Sequence, residues 1–221
     1  MNAWRMIRFA LASVIALWAQ AAAACTTALL LMIDVSSSID AAEYRVQTDG
    51  LADALNDPEI RQQLVAGDIA LSVMQWSGAD RQLVTQDWQQ MHSALDIEAF
   101  AELARTTPRA FVMSGTAPGD ALAAGIAHFQ TAPTCGRRII DVSGDGTPND
   151  GIDVPTQMRL AERQGITING IAIESLGLAI TGYYRRHLIT RDGFVITARG
   201  HREYPEAIRR KILREITLIM G

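Results

Sequence analysis

The stretch Thr27-Ala28-Leu29-Leu30-Leu31-Met32-Ile33-Asp34 is an unbroken apolar run that closes abruptly on an acid. Its length suits one strand, and because odd and even positions are both apolar, neither face is left for water. The strand is therefore predicted to sit inside a sheet covered on both sides. Beyond it come Val35-Ser36-Ser37-Ser38, then Asp40, which is placed to cap a helix carrying Glu43 in its first turn and running to about Leu55, where Asp57-Pro58 breaks the pattern.

Farther along, Ile69–Trp76 and Gln82–Trp88 read as strands joined by the turn Ser77-Gly78-Ala79-Asp80, a hairpin at one side of the sheet. Helical spacing is expected over Asp96–Ala104, Gly119–Phe129 and Val154–Gln164. Further strands are expected at Arg137–Val142, Ile166–Ile173 and Phe194–Ala198. A last helix starts near Pro205 and aligns Ile208, Ile212, Ile216 and Ile219, with Arg209, Arg210, Lys211 and Arg214 expected on a solvated opposite face. Alternating strands and helices with one antiparallel edge hairpin predict an α/β, doubly wound, mostly parallel six-stranded sheet with helices on both faces. In such sheets ligands collect at the carboxyl ends of the strands near the reversal of strand order, which directs attention to the loops after the first and fourth strands.

Composition sets the broad class. The 221 residues are 48% hydrophobic and 20% charged, with no repeat or low-complexity tract, so a single domain over 25–221 is expected. The formal charge of −4 does not favour nucleic acid as a partner. Residues 1–24 carry Arg5 and Arg8, an apolar run from Phe9 to Trp18, and Ala21-Ala22-Ala23-Ala24, the pattern of a cleaved signal peptide. The apolar run falls short of the ~20 residues of a membrane span, so the mature chain is expected in the periplasm or secreted, without a membrane span.

Three loops offer oxygen ligands. Asp34, Ser36 and Ser38 alternate after the first strand, Asp145 stands between Gly144 and Gly146 after the fourth, and Thr116 precedes a mid-chain helix. An all-oxygen set suits a hard cation, Mg²⁺ or alternatively Mn²⁺ or Ca²⁺, in place of a His/Cys zinc site. Each piece alone has an ordinary explanation, as a helix cap or a turn; it is their convergence at one end of the sheet that points to a metal.

Asp-x-Ser-x-Ser, the later Thr and the Asp-Gly pair together resemble the von Willebrand factor type A (vWA) domain, and the likeness spans roughly Thr27 to Met220. Arg137–Gly146 further resembles an uncharacterised subgroup of exported bacterial members, which brings no established activity. The resemblance implies a metal-ion-dependent adhesion site (MIDAS), in which Ser36, Ser38 and Thr116 hold the ion directly and Asp34 and Asp145 act through waters or hydrogen bonds. Neutral direct ligands leave the ion electron-poor, so an Asp or Glu of a protein partner is expected to complete its shell.

Other readings compete for the same residues. A metal-assisted hydrolase would need a base, and a serine nucleophile would need Ser36 or Ser114 beside His92, His128, His187 or His201, yet no Gly-x-Ser-x-Gly elbow is present. A structural subunit with a vestigial site is the third. The expectation is a binding domain and not an enzyme. Asp145, Asn149, Asp150 and Asp153 lack the spacing of a helix-flanked Ca²⁺ loop and read as turn acids, with Asp153 a helix cap, while Trp76 and Trp88 read as packing residues on paired strands.

Cys25 and Cys135 each stand just before a strand, at the end opposite the expected metal. In the strand order that the resemblance implies, the two strands are neighbours, and a disulfide between them is expected. Lipid modification of Cys25, or two reduced thiols, are the alternatives.

Overall fold

The computed structural model describes residues 25–175 and 177–217. The expected signal peptide at 1–24 and Ile219 lie outside these residues. Six strands, β1 (Thr27–Asp34), β2 (Ala70–Trp76), β3 (Gln82–Gln90), β4 (Arg137–Gly144), β5 (Ile166–Glu174) and β6 (Val195–Arg199), form one sheet in the order β3-β2-β1-β4-β5-β6. All neighbours run parallel except β2 and β3, which pair antiparallel as the edge hairpin.

β1 is buried along its whole length, and its two faces feed two cores. Leu29, Leu31 and Ile33 join a cluster under α1 (Ala41–Leu55), α2 (Pro58–Ala66), α3 (Ala94–Thr106) and α7 (Tyr204–Ile216). Ala28, Leu30 and Met32 join a second under α4 (Pro118–His128), α5 (Val154–Arg163) and α6 (Ala179–Tyr183), the last running on into a π-helical turn at Tyr184–Leu188. The apolar run is continuous because each alternate residue has its own core. Trp76 is fully buried and Trp88 stacks on His128, so both serve packing.

Several helices begin on the side chains that the sequence suggests. Asp40 accepts the Glu43 N–H and the Glu43 carboxylate accepts the Asp40 N–H, a reciprocal cap at the start of α1 of the kind that contributes about 1 kcal/mol. Asp153 likewise accepts the Thr156 N–H at the head of α5. Two elements depart from expectation. Asp57 is itself the cap of α2, with Pro58 in the first turn, so Asp57-Pro58 both ends one helix and starts the next. The α6 segment, with its π-helical continuation, has no counterpart in the sequence reading.

The solvated face expected for α7 is corrected at Lys211, which is fully buried. Its Nζ lies 2.6 Å from Asp141 Oδ1 on β4 and 2.5 Å from Glu215 Oε1, which also accepts from Asn169 Nδ2 at 2.7 Å. A buried ammonium is tolerated only when paired in this way. Arg210 remains half in solvent beside Glu206, Arg209 pairs with Asp57, and Arg214 lies over the Phe194 ring.

Cys25 and Cys135 are bridged, with Cα atoms 4.6 Å apart. Thr27 pairs with Arg137 in the register of β1 and β4, so the bridge clamps the amino ends of the two central strands.

Candidate metal centre

The order of strands reverses between β1 and β4, and the loops that leave their carboxyl ends carry Asp34, Ser36, Ser38 and Asp145. The segment after β1 closes a turn through Ile39 N–H to Ser36 O at 3.0 Å. The turn still aims its side chains together: Ser36 Oγ and Ser38 Oγ are 3.1 Å apart, and the Ser38 hydroxyl donates to Asp145 Oδ1 at 2.6 Å. Asp34 Oδ1 accepts the Ser36 N–H at 2.7 Å.

Thr116 joins them through the loop after β4. Its N–H donates to Asn149 Oδ1 at 2.8 Å, and its carbonyl accepts the Asn149 N–H at 3.1 Å. A methyl at Gly146 would lie 3.6 Å from Thr116 Oγ1, which puts this threonine against the Asp145-Gly146 turn. Four residues that were not singled out as site residues hold the three loops in place. Arg109 donates to the carbonyls of Val35 and Ser36, Ser114 O accepts the Ser37 N–H, Asn149 bridges as described, and Asp150 accepts the Ala79 N–H. Asn149 and Asp150 thus tie loops together, and among the described residues no group of three or more His, Cys, Asp or Glu side chains is placed to hold a metal. The five-residue set contains only two carboxylates, so it draws its donors from hydroxyls.

The set fits a hard cation on one further observation. Asp34 is fully buried and its Oδ2 has no hydrogen-bond partner. Burial is the main cause that pushes its carboxyl up to about 7, with Asp145 adding repulsion against hydrogen bonds from Ser36. A buried carboxylate without a counter-charge is costly, and a divalent ion removes that cost. Beside it, Tyr184 Oη and Trp76 Nε1 are also buried without partners. All three side chains crowd Gly144, where an added Cβ would lie 2.7 Å from Tyr184 Oη, 2.9 Å from Asp34 Oδ2 and 3.2 Å from Trp76 Cζ2.

The histidines are scattered. His128 lies against Ser72 and Trp88, His92 against Asp68 and His187 against Tyr183. His201 is largely buried, its Nε2 3.5 Å from Glu43 Oε1 and 3.7 Å from Asp145 Oδ2. Burial disfavours its charge, but the Asp145 and Glu43 carboxylates outweigh that and raise its pKa. Its position arises only from the fold, since nothing around it in the sequence marks it.

A family described as "Protein of unknown function (DUF1194)" matches residues 24–220. The chain belongs to this family. No curated protein matches the sequence. Among solved structures, this DUF1194 chain is similar to proximal thread matrix protein 1 from the mussel byssus, at TM-score 0.66 and 15% identity over 86% of this chain and 47% of that one. A form of that mussel protein has a zinc-occupied MIDAS motif. A von Willebrand factor type A protein from Catenulispora acidiphila aligns at TM-score 0.58 and 18% identity, covering 86% and 43% of the two chains. The pilus adhesin SpaC from Lactobacillus rhamnosus GG aligns at TM-score 0.64 and 12% identity, covering 86% and 30%. The DUF1194 chain therefore has the vWA-type α/β fold, and it spans less than half the length of these three proteins.

Proposed function

We propose that this chain is an exported, metal-dependent protein-binding domain. Ser36, Ser38 and Thr116 hold a Mg²⁺-type ion directly, and Asp34 and Asp145 hold it through waters or hydrogen bonds. The ion supplies an electron-poor centre whose remaining position is taken by an Asp or Glu of a partner. The observation that carries this reading is the buried Asp34 carboxylate with an unpartnered oxygen, set beside the hydroxyls of Ser36 and Ser38 and the second carboxylate of Asp145. The matrix and adhesin roles named for the structural neighbours are in keeping with it.

Export to the periplasm or beyond is supported by the Cys25–Cys135 bridge, which belongs to an oxidising compartment. No helix among the described residues is long and apolar enough to cross a membrane. A hydrolase is disfavoured by His201, because its Nε2 faces two carboxylates and its Nδ1 is buried, which leaves neither nitrogen to take a proton from a water on the ion.

Pull-down from envelope extract tests the proposal, run with Mg²⁺, with chelator, and with Asp34→Ala as bait. The expected result is a partner retained by wild type in Mg²⁺ alone. Equal retention in all three conditions would contradict it.

A further inference from the structure

A cavity of about 670 Å³ opens directly beside the proposed metal ligands. Ser38, Asp145, Glu43, His201, Glu174, Arg199 and Arg202 are among the residues that line it. A second hollow of about 420 Å³ shares Glu174, Ser175, Arg199 and Gly200 with it and continues to Gly177 and Leu178. The two adjoin as one groove that runs from Ser38 and Asp145 past Glu174 and Arg199 to Gly177 and Leu178.

The charges in this groove are unequally committed. Each carboxylate is already engaged: Glu43 accepts the Asp40 N–H and faces His201, Glu174 accepts the Thr181 N–H at 2.6 Å, and Asp145 accepts the Ser38 hydroxyl. The two guanidiniums are not. Arg199 and Arg202 are exposed and enter no ion pair among the described residues. The acids on the far side of Arg202 are taken by other arginines, Asp53 by Arg105, Asp57 by Arg209 and Glu206 by Arg210. Two uncommitted arginines facing a cavity are donors for an anion brought by a ligand.

Spacing indicates how that anion arrives. Arg199 ends β6 opposite Glu174 of β5, and β5 lies next to β4, which delivers Asp145. Two strand spacings separate the backbones by about 10 Å, and the arginine side chain shortens the gap. In an extended peptide, side chains two residues apart point the same way and stand about 7 Å apart.

We propose that the groove seats an acidic peptide segment whose first carboxylate completes the ion beside Ser38 and Asp145 and whose second, two residues on, pairs with Arg199 and Arg202. This rests on the metal-dependent binding reading and adds the class of partner: a segment with paired acids, not a lone Asp or Glu.

The test uses capped peptides and calorimetry at saturating Mg²⁺, with Mg²⁺ itself titrated first in the absence of peptide. The probes are Ac-Ala-Asp-Ala-Glu-Ala-amide and the same peptide with Gln or Lys in place of Glu. Wild type is expected to bind the two-acid peptide about tenfold more tightly than the Gln peptide. Arg199→Ala/Arg202→Ala is expected to erase that difference while leaving Mg²⁺ affinity unchanged. Arg199→Glu/Arg202→Glu is expected to prefer the Lys peptide, an exchange that a merely unfolded variant would not show. Equal binding of the Glu and Gln peptides by wild type that takes up Mg²⁺ overturns the paired-acid proposal and leaves the metal reading standing. Failure of wild type to take up Mg²⁺ overturns both.

Discussion

Gly144→Ala is the sharpest single perturbation of the site. The new methyl would stand 2.7 Å from Tyr184 Oη and 2.9 Å from Asp34 Oδ2, inside ordinary contact distance for carbon and oxygen by roughly half an ångström. Asp34, Trp76 and Tyr184 are all fully buried, so none can swing into solvent to make room. Overpacking of this kind costs about 1–3 kcal/mol, which for a domain of this size lowers Tm by about 2–12 °C. The cheapest relief is rotation of Asp34, which forfeits its hydrogen bond from Ser36 N–H and displaces the carboxylate from the ion. Mg²⁺ affinity is then expected to fall by about tenfold or more, equivalent to about 1.4 kcal/mol. Thermal melts with and without Mg²⁺, together with calorimetric titration, read both effects. A variant with wild-type Tm and wild-type Mg²⁺ affinity would refute the packing of Asp34 against Gly144 and its part in the site.

The disulfide and the buried ion cluster give two further expectations. Unreduced protein should take up no iodoacetamide, and Cys135→Ser should destabilise the fold by about 4–5 kcal/mol on the chain-entropy account of a bridge separated by 110 residues, measured by urea unfolding, with Mg²⁺ affinity of the folded protein unchanged because the bridge lies at the far end of β1 and β4. In the cluster, burial pushes the Glu215 carboxyl from 4.5 up to about 7, since Lys211 offsets only one of its two acidic neighbours and Asp141 is buried alongside. A raised carboxyl means that the folded protein holds a proton that the unfolded chain releases, so this contribution to stability is present below about pH 4.5 and is lost as pH rises through about 7. Glu215→Gln should flatten that slope, and equal slopes in denaturant titrations of the two proteins across this window would count against it.

The parts of the fold that were legible in advance are those with local causes. β1 could be read because an apolar run without alternation has few outlets besides a strand covered twice, and α1 because Asp40 and Glu43 form their cap within one turn. Two of the three candidate loops could be placed because they follow β1 and β4, whose ends are fixed by their own patterns, whereas the Thr116 loop lies between α3 and α4. α2 is not legible from Asp57-Pro58 alone, because a proline that ends one helix is equally at home in the first turn of the next. Charge alone does not place Lys211 in solvent: Ile208, Lys211, Ile212, Glu215 and Ile216 fall on one stripe, and an i,i+4 pair of opposite charge inside an apolar stripe is a signal for a buried pair. That stripe also explains why Asp141 is permitted in the middle of β4. His201, Arg109 and Tyr184 reach the site only through tertiary structure, and no local pattern announces them.

Titration of the folded protein with Mg²⁺, wild type beside Asp145→Ala, tests the central claim most directly. Asp145 accepts the Ser38 hydroxyl and is the more exposed of the two carboxylates, so its removal takes a charge from the ion with little disturbance to the core. The account predicts one Mg²⁺ per chain in wild type and none measurable in the variant. Unchanged affinity in Asp145→Ala would contradict it.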